Sequence, residues 1–102
     1  MTELIIYKEA PWEERVKEFN ILRKLVKKYG NKQITICIEE MSELTKELCK
    51  NVRGYNNLDN IYEEMADVYI MLNQMQILFQ MDNEVLDATI SKKIERAKER
   101  LL

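Results

Sequence analysis

The chain contains no histidine, two glycines, one proline and two cysteines, and each scarcity removes a class of chemistry or fold. Without histidine there is no imidazole base, no Glu-x-x-His di-iron bundle and no zinc site of the usual histidine-bearing kind. Gly30 and Gly54 alone cannot write a phosphate-binding loop or a dinucleotide fingerprint. So little Gly and Pro also leaves few turns, and long helices follow. No run of about 20 apolar residues occurs, which predicts no membrane span. The N-terminus has no basic region leading into an apolar core and a cleavage site, so the expected localisation is cytoplasmic. Cys37 and Cys49 fall 12 apart in one expected helix, roughly 18 Å along its axis. That separation rules out a bridge within the chain and suggests reduced, buried thiols.

A surplus of charge is lacking too. Sixteen basic against 18 acidic residues give a net charge of -2, which argues against a generic binder of nucleic acid polymers. What is present is apolar periodicity over 102 residues, a length suited to one domain spanning 1-102. After an ambiguous arm over 1-10, Pro11 suits a first helical position, and Trp12, Val16, Phe19, Leu22, Val26 and Tyr29 recur at three and four until Gly30. Helix 2 is expected from an Asn31 cap to about Arg53 on Ile34, Cys37, Met41, Leu44, Leu48 and Val52. Helix 3 is expected from Leu58 to Met81 and is apolar on most of its circumference, which calls for cover on several sides. Helix 4 starts at Asp82 or Asn83 and carries Leu86, Ile90, Ile94, Ala97 and Leu101. The predicted fold is all-α, a four-helix bundle-like unit that associates into a homo-oligomer.

Within this apolar pattern lie two acidic strings, "IEEMSEL" at 38-44 and "YEEMADVY" at 62-69. Helical spacing groups Glu40 with Glu43 and Glu47 on one stripe, and Glu64 with Asp67 on another. A short turn between the helices lets the two acid pairs meet at one level. Glu39 sits on the far side of its stripe. Glutamate is an excellent helix former and usually faces water, and that reading suits Glu39, Glu47 and Glu63. Four converging carboxylates would instead raise one another's pKa values, a cost that a hard divalent cation removes. Oxygen-only ligation selects magnesium or manganese. Lys93, on the margin of the helix 4 apolar face, and Arg96 offer positive charge that suits a polyphosphate.

"EEMSE", then 20 residues, then "EMAD", with "KKIERAKERL" behind, resembles the Glu-Glu-x-x-Glu and Glu-x-x-Asp signature of the MazG-like all-α nucleoside triphosphate pyrophosphohydrolases. The resemblance spans about residues 31-101. It implies Mg2+-dependent hydrolysis of a nucleoside triphosphate to the monophosphate and pyrophosphate, with Mn2+ able to substitute. It also implies Glu40, Glu43, Glu64 and Asp67 as metal ligands, Lys93 and Arg96 near the triphosphate, and a homodimer or homotetramer. Glu39 is then the candidate to orient or deprotonate the attacking water. Trp12, Tyr29, Tyr62, Tyr69 and Phe79 offer stacking faces for a base, and Asn73 or Gln74 a reader of its edge, although aromatics at helical spacing are more often core. The competing expectations are a non-catalytic helical dimerisation or adaptor module and a nucleotide sensor that has lost turnover.

Overall fold

The structure, a computed structural model, describes residues 12-102. The expected arm over 1-10 and the start at Pro11 lie outside the described residues. Four helices follow in order: α1 Trp12–Tyr29, α2 Lys32–Val52, α3 Leu58–Leu78 and α4 Asn83–Glu99. The described chain is all-helical, as periodicity required. Glu13 and Glu14 in the first turn of α1 and Lys27 and Lys28 in its last complement the helix dipole. Gly30, at φ 56°, then closes the helix by donating its amide to the Val26 carbonyl at 2.7 Å.

Helix stops explain where the expected boundaries hold and where they move. At the end of α2, Gly54 takes φ 97°, with Gly54 N–H bonding Asn51 O and Tyr55 N–H bonding Lys50 O, the paired bonds of a Schellman motif. Helix α3 stops three residues earlier than the expected Met81. There Gln80 takes the left-handed conformation, φ 50°, while its amide bonds Ile77 O and the Met81 amide bonds Gln76 O. A non-glycine residue in that role gives no sequence signal. Asp82 caps α4, its carboxylate accepting from the amides of Glu84 at 2.8 Å and Val85 at 3.3 Å. Asn31 is a correction: it already has helical dihedrals and makes no side-chain cap bond to α2.

The main interface joins α2 to α3, with α1 packing chiefly on α3. Leu22, Val26, Cys37 and Met71 form the buried apolar core among the described residues. Burying the side chains of Leu22, Val26 and Met71 contributes about 1.5–3 kcal/mol each. The expected apolar series are thus only partly used. Phe19, Met41 and Leu48 stay about half exposed, and α4 buries no side chain. Both cysteines are free, but only Cys37 is buried, where burial pushes its thiol pKa up; Cys49 is exposed, against expectation.

Candidate metal centre

Antiparallel packing of α2 on α3 sets one register along their seam. Gln33 donates a hydrogen bond to Gln74 across it. Seven residues on from Gln33 is Glu40, seven back from Gln74 is Asp67, and these two carboxyls share a hydrogen bond. Three further in each direction brings Glu43 level with Glu64, each within electrostatic reach of the other. Four further brings Glu47 level with Asn60, which hydrogen-bonds it. Helical periodicity of three and four therefore places every acid that the wheel grouped along a single line of contact.

At its centre, oxygens of Glu40, Glu64 and Asp67 all lie within 4.8 Å of one another. Glu40 and Glu64 are half-buried and Asp67 is exposed, so the cluster opens to water on one side. Burial pushes the Glu40 pKa up, and Asp67, Glu64 and Glu43 add to the push by charge. Glu64 is raised by burial and then by Asp67, Glu43, Glu47 and Glu63. Its Oε2 is buried with no hydrogen-bond partner. Among the described residues no ion pair reaches any of the three acids. A hard cation fits this donor set, because it is all oxygen, anionic and left with an unsatisfied buried atom.

One turn away, the same kind of residue behaves differently. Glu47 is buried, against the expectation of a solvated side chain, and its pKa is lowered. Asn57 Nδ2 donates to Glu47 Oε1 at 3.1 Å and to the Glu47 carbonyl at 2.8 Å, and Lys50 Nζ lies 3.3 Å from Oε2. The hydrogen bond from Asn57 is the leading cause, aided by Asn60 and Lys50 against the cost of burial. Sequence reasoning missed this group. Its signal was the string Asn56, Asn57 and Asn60 around the turn, opposite an acid on the next helix.

The remaining expected site residues divide. Glu43 is exposed and lies outside the set of three close oxygens while still acting on Glu40 and Glu64 by charge. Glu39 is exposed, roughly 100° round α2 from Glu40. Lys93 and Arg96 are exposed on α4, and among the described residues they make no ion pair with the cluster. Of the candidate base readers, Asn73 and Gln74 are buried, Gln74 against Gln33 and Asn73 with its amide on the Tyr69 carbonyl at 3.1 Å. Tyr29, Tyr62 and Phe79 are exposed, and Tyr69 is half-buried. No protein family, curated relative or solved structure matches the chain in comparisons with known proteins.

Proposed function

We propose that this protein is a hydrolase that uses Mg2+, or Mn2+ in its place, to split a nucleoside triphosphate into monophosphate and pyrophosphate. The observation that carries the reading is the meeting of Glu40, Glu64 and Asp67, from two helices, around an unpartnered buried carboxylate oxygen. These three residues would hold the cation, with Glu43 adding negative charge beside them. A bound cation would supply neutralising charge for the carboxylates and for the phosphate oxygens of the substrate. Glu39, exposed beside Glu40, is assigned to orient or deprotonate the attacking water. Lys93 and Arg96 are assigned to the departing pyrophosphate. The likeness of "EEMSE" and "EMAD" to the MazG-like signature supports the same assignment. By analogy with that group the task is removal of unwanted nucleotides from a cellular pool, carried out by a homodimer or homotetramer in the cytoplasm.

The test is pyrophosphate release from a panel of standard and modified nucleoside triphosphates, with and without Mg2+, using the Glu64→Ala, Asp67→Ala variant as control. Magnesium-dependent release that the variant lacks is the expected result. Absence of release from every substrate would refute the catalytic reading. Glu39→Gln with near-normal turnover at saturating metal would remove Glu39 alone. A second reading, a helical interaction module, is favoured by one observation: α4 and the flank of the α2–α3 pair expose many large apolar side chains. That module would keep its binding after the acids are replaced. A nucleotide sensor would bind the triphosphate and release no product.

A further inference from the structure

The net charge of -2 conceals a separation of charge along the chain. Residues 15-32 hold seven basic side chains and one acidic, while the rest of the chain holds nine basic and 17 acidic. Lys17, Arg23, Lys24, Lys27, Lys28 and Lys32 are all exposed, and among the described residues none of the six makes an ion pair. The helix dipole accounts for cations only in the last turn of α1, which holds Lys27 and Lys28. Lys17, Arg23 and Lys24 lie outside it.

On the helical wheel the α1 cations form two rows about a polar line. With Asn20 at zero, Arg23 and Lys27 fall roughly 60° and 20° to one side, and Lys24, Lys17 and Lys28 roughly 40°, 60° and 80° to the other. Arg23 lies over the Phe19 ring, 6.0 Å from its centroid, and Lys28 over the Tyr29 ring at 5.2 Å. Each ring stands farther from Asn20 on the wheel than its cation does, so these contacts hold the rows apart. Leu22 and Val26, roughly 160° and 120° from Asn20, are buried where α1 packs on α3, so the cationic face points away from α3. Glu13, the one acid near the polar line, sits in the first turn of α1, roughly 10 Å along the axis from Asn20.

We propose that α1 docks in the major groove of a DNA duplex, with its two rows of cations on the phosphates of the two walls and Asn20 at the base edges. The dimensions agree: a helix with its side chains is about 10–12 Å across, and that groove is about 12 Å wide. Cations on both margins of one helix suit a cleft walled by anions on both sides, and asparagine can pair there with adenine through two hydrogen bonds. A lipid surface fits less well, since a helix lying on a membrane turns its apolar side to lipid, and that side of α1 is already buried in the core. Duplex RNA offers a major groove too deep and narrow for side chains to read. The proposal goes beyond the hydrolase reading and does not depend on it.

Fluorescence anisotropy with a labelled DNA duplex of about 20 base pairs, the tightest binder from a randomised pool, tests it. Five phosphate contacts predict that affinity falls roughly 500-fold between about 50 and 200 mM potassium chloride. Lys17→Glu, Lys24→Glu should weaken binding at least about 100-fold at the lower salt, with helicity unchanged by circular dichroism. Asn20→Ala should weaken it roughly tenfold and leave the salt dependence as it was. Duplex RNA and heparin should compete at least about tenfold less well than DNA. No duplex binding at low salt, equal competition by heparin, or binding to vesicles of anionic lipid alone overturns the proposal. The Glu64→Ala, Asp67→Ala variant should bind DNA as the wild type does, so failure here and failure of the hydrolase reading are told apart.

Discussion

Addition of Mg2+ to the metal-free protein should raise its melting temperature, by an amount that the geometry of the seam allows to be worked out. Three carboxylate oxygens within 4.8 Å exist only when α2 and α3 are packed, so the unfolded chain offers no comparable site. A ligand that binds only the folded state stabilises by about 2.7 kcal/mol at one hundred times its dissociation constant. For a domain of this length each kcal/mol moves the midpoint roughly 4–8 °C. Saturating Mg2+ should therefore raise it by roughly 10–20 °C at neutral pH.

The measurement is thermal unfolding followed by far-UV circular dichroism, with potassium chloride at matched ionic strength to separate binding from screening. The Glu64→Ala, Asp67→Ala variant should melt above the wild type without metal, because mutual repulsion is relieved, and should not respond to Mg2+. A midpoint unchanged by Mg2+ would falsify the reasoning. So would an equal rise with potassium, or a rise that survives in the variant.

Three further outcomes follow from other parts of the molecule. Glu40 and Glu64 have raised pKa values in the folded state, so the folded protein holds their protons more tightly than the unfolded chain. Metal-free stability should therefore increase as pH falls through their folded values towards the ordinary glutamate range, and Mg2+ should flatten that rise. Glu47, with its lowered pKa, contributes stability above the ordinary glutamate value and loses it only below that value. Urea unfolding at stepped pH would contradict the sign for Glu40 and Glu64 if metal-free stability climbed steadily from about pH 5 to about pH 8. Asn57→Ala removes the donor that Glu47 shares between its carboxylate and carbonyl and should cost about 1–3 kcal/mol in urea unfolding; a change within error would mean water replaces the amide. Met71→Ala, in the buried core, should cost about 2–5 kcal/mol, and a loss below about 1 kcal/mol would show that the core is not closed around Met71.

Much of the fold was legible because its signals are local. Apolar spacing at three and four located all four helices, and Gly30 and Gly54 marked two stops by their freedom at positive φ. The α3 stop was hidden because Gln80 takes the left-handed conformation without a glycine to announce it. Asn31 misled for a related reason: it stands at the capping position of α2, but its backbone has helical dihedrals and its side chain makes no cap bond. At the site, wheel geometry grouped Glu40 with Glu43 and Glu64 with Asp67, and packing brings oxygens of Glu40, Glu64 and Asp67 within 4.8 Å of one another while Glu43 lies outside that set. Periodicity could not say which apolar positions would be covered. That depends on how far α4 stands from the other helices, a tertiary matter that leaves Ile90 and Ile94 in solvent.

Glu47 and Glu64 show the same residue in two opposite electrostatic settings along one seam. Glu47 is the more deeply buried of the two, and on burial alone it should carry the larger penalty. Its pKa is nevertheless lowered, because Asn57, Asn60 and Lys50 supply donors to its oxygens. Glu64 is pushed up by burial and by the acids around it, and leaves an oxygen unpartnered. Folding could have closed the second site as it closed the first, with an asparagine or lysine opposite. Instead Asp67 lies one turn along α3 and Glu43 across the seam, both adding to the cost at Glu64, and Glu64 in turn adds to the cost at Glu40. The acids around Glu40 and Glu64 push their pKa values up, whereas the donors around Glu47 bring its own down, so the cost at Glu40 and Glu64 is one that the seam leaves uncompensated. The cation proposed for Glu40, Glu64 and Asp67 has the charge and oxygen preference to meet that need.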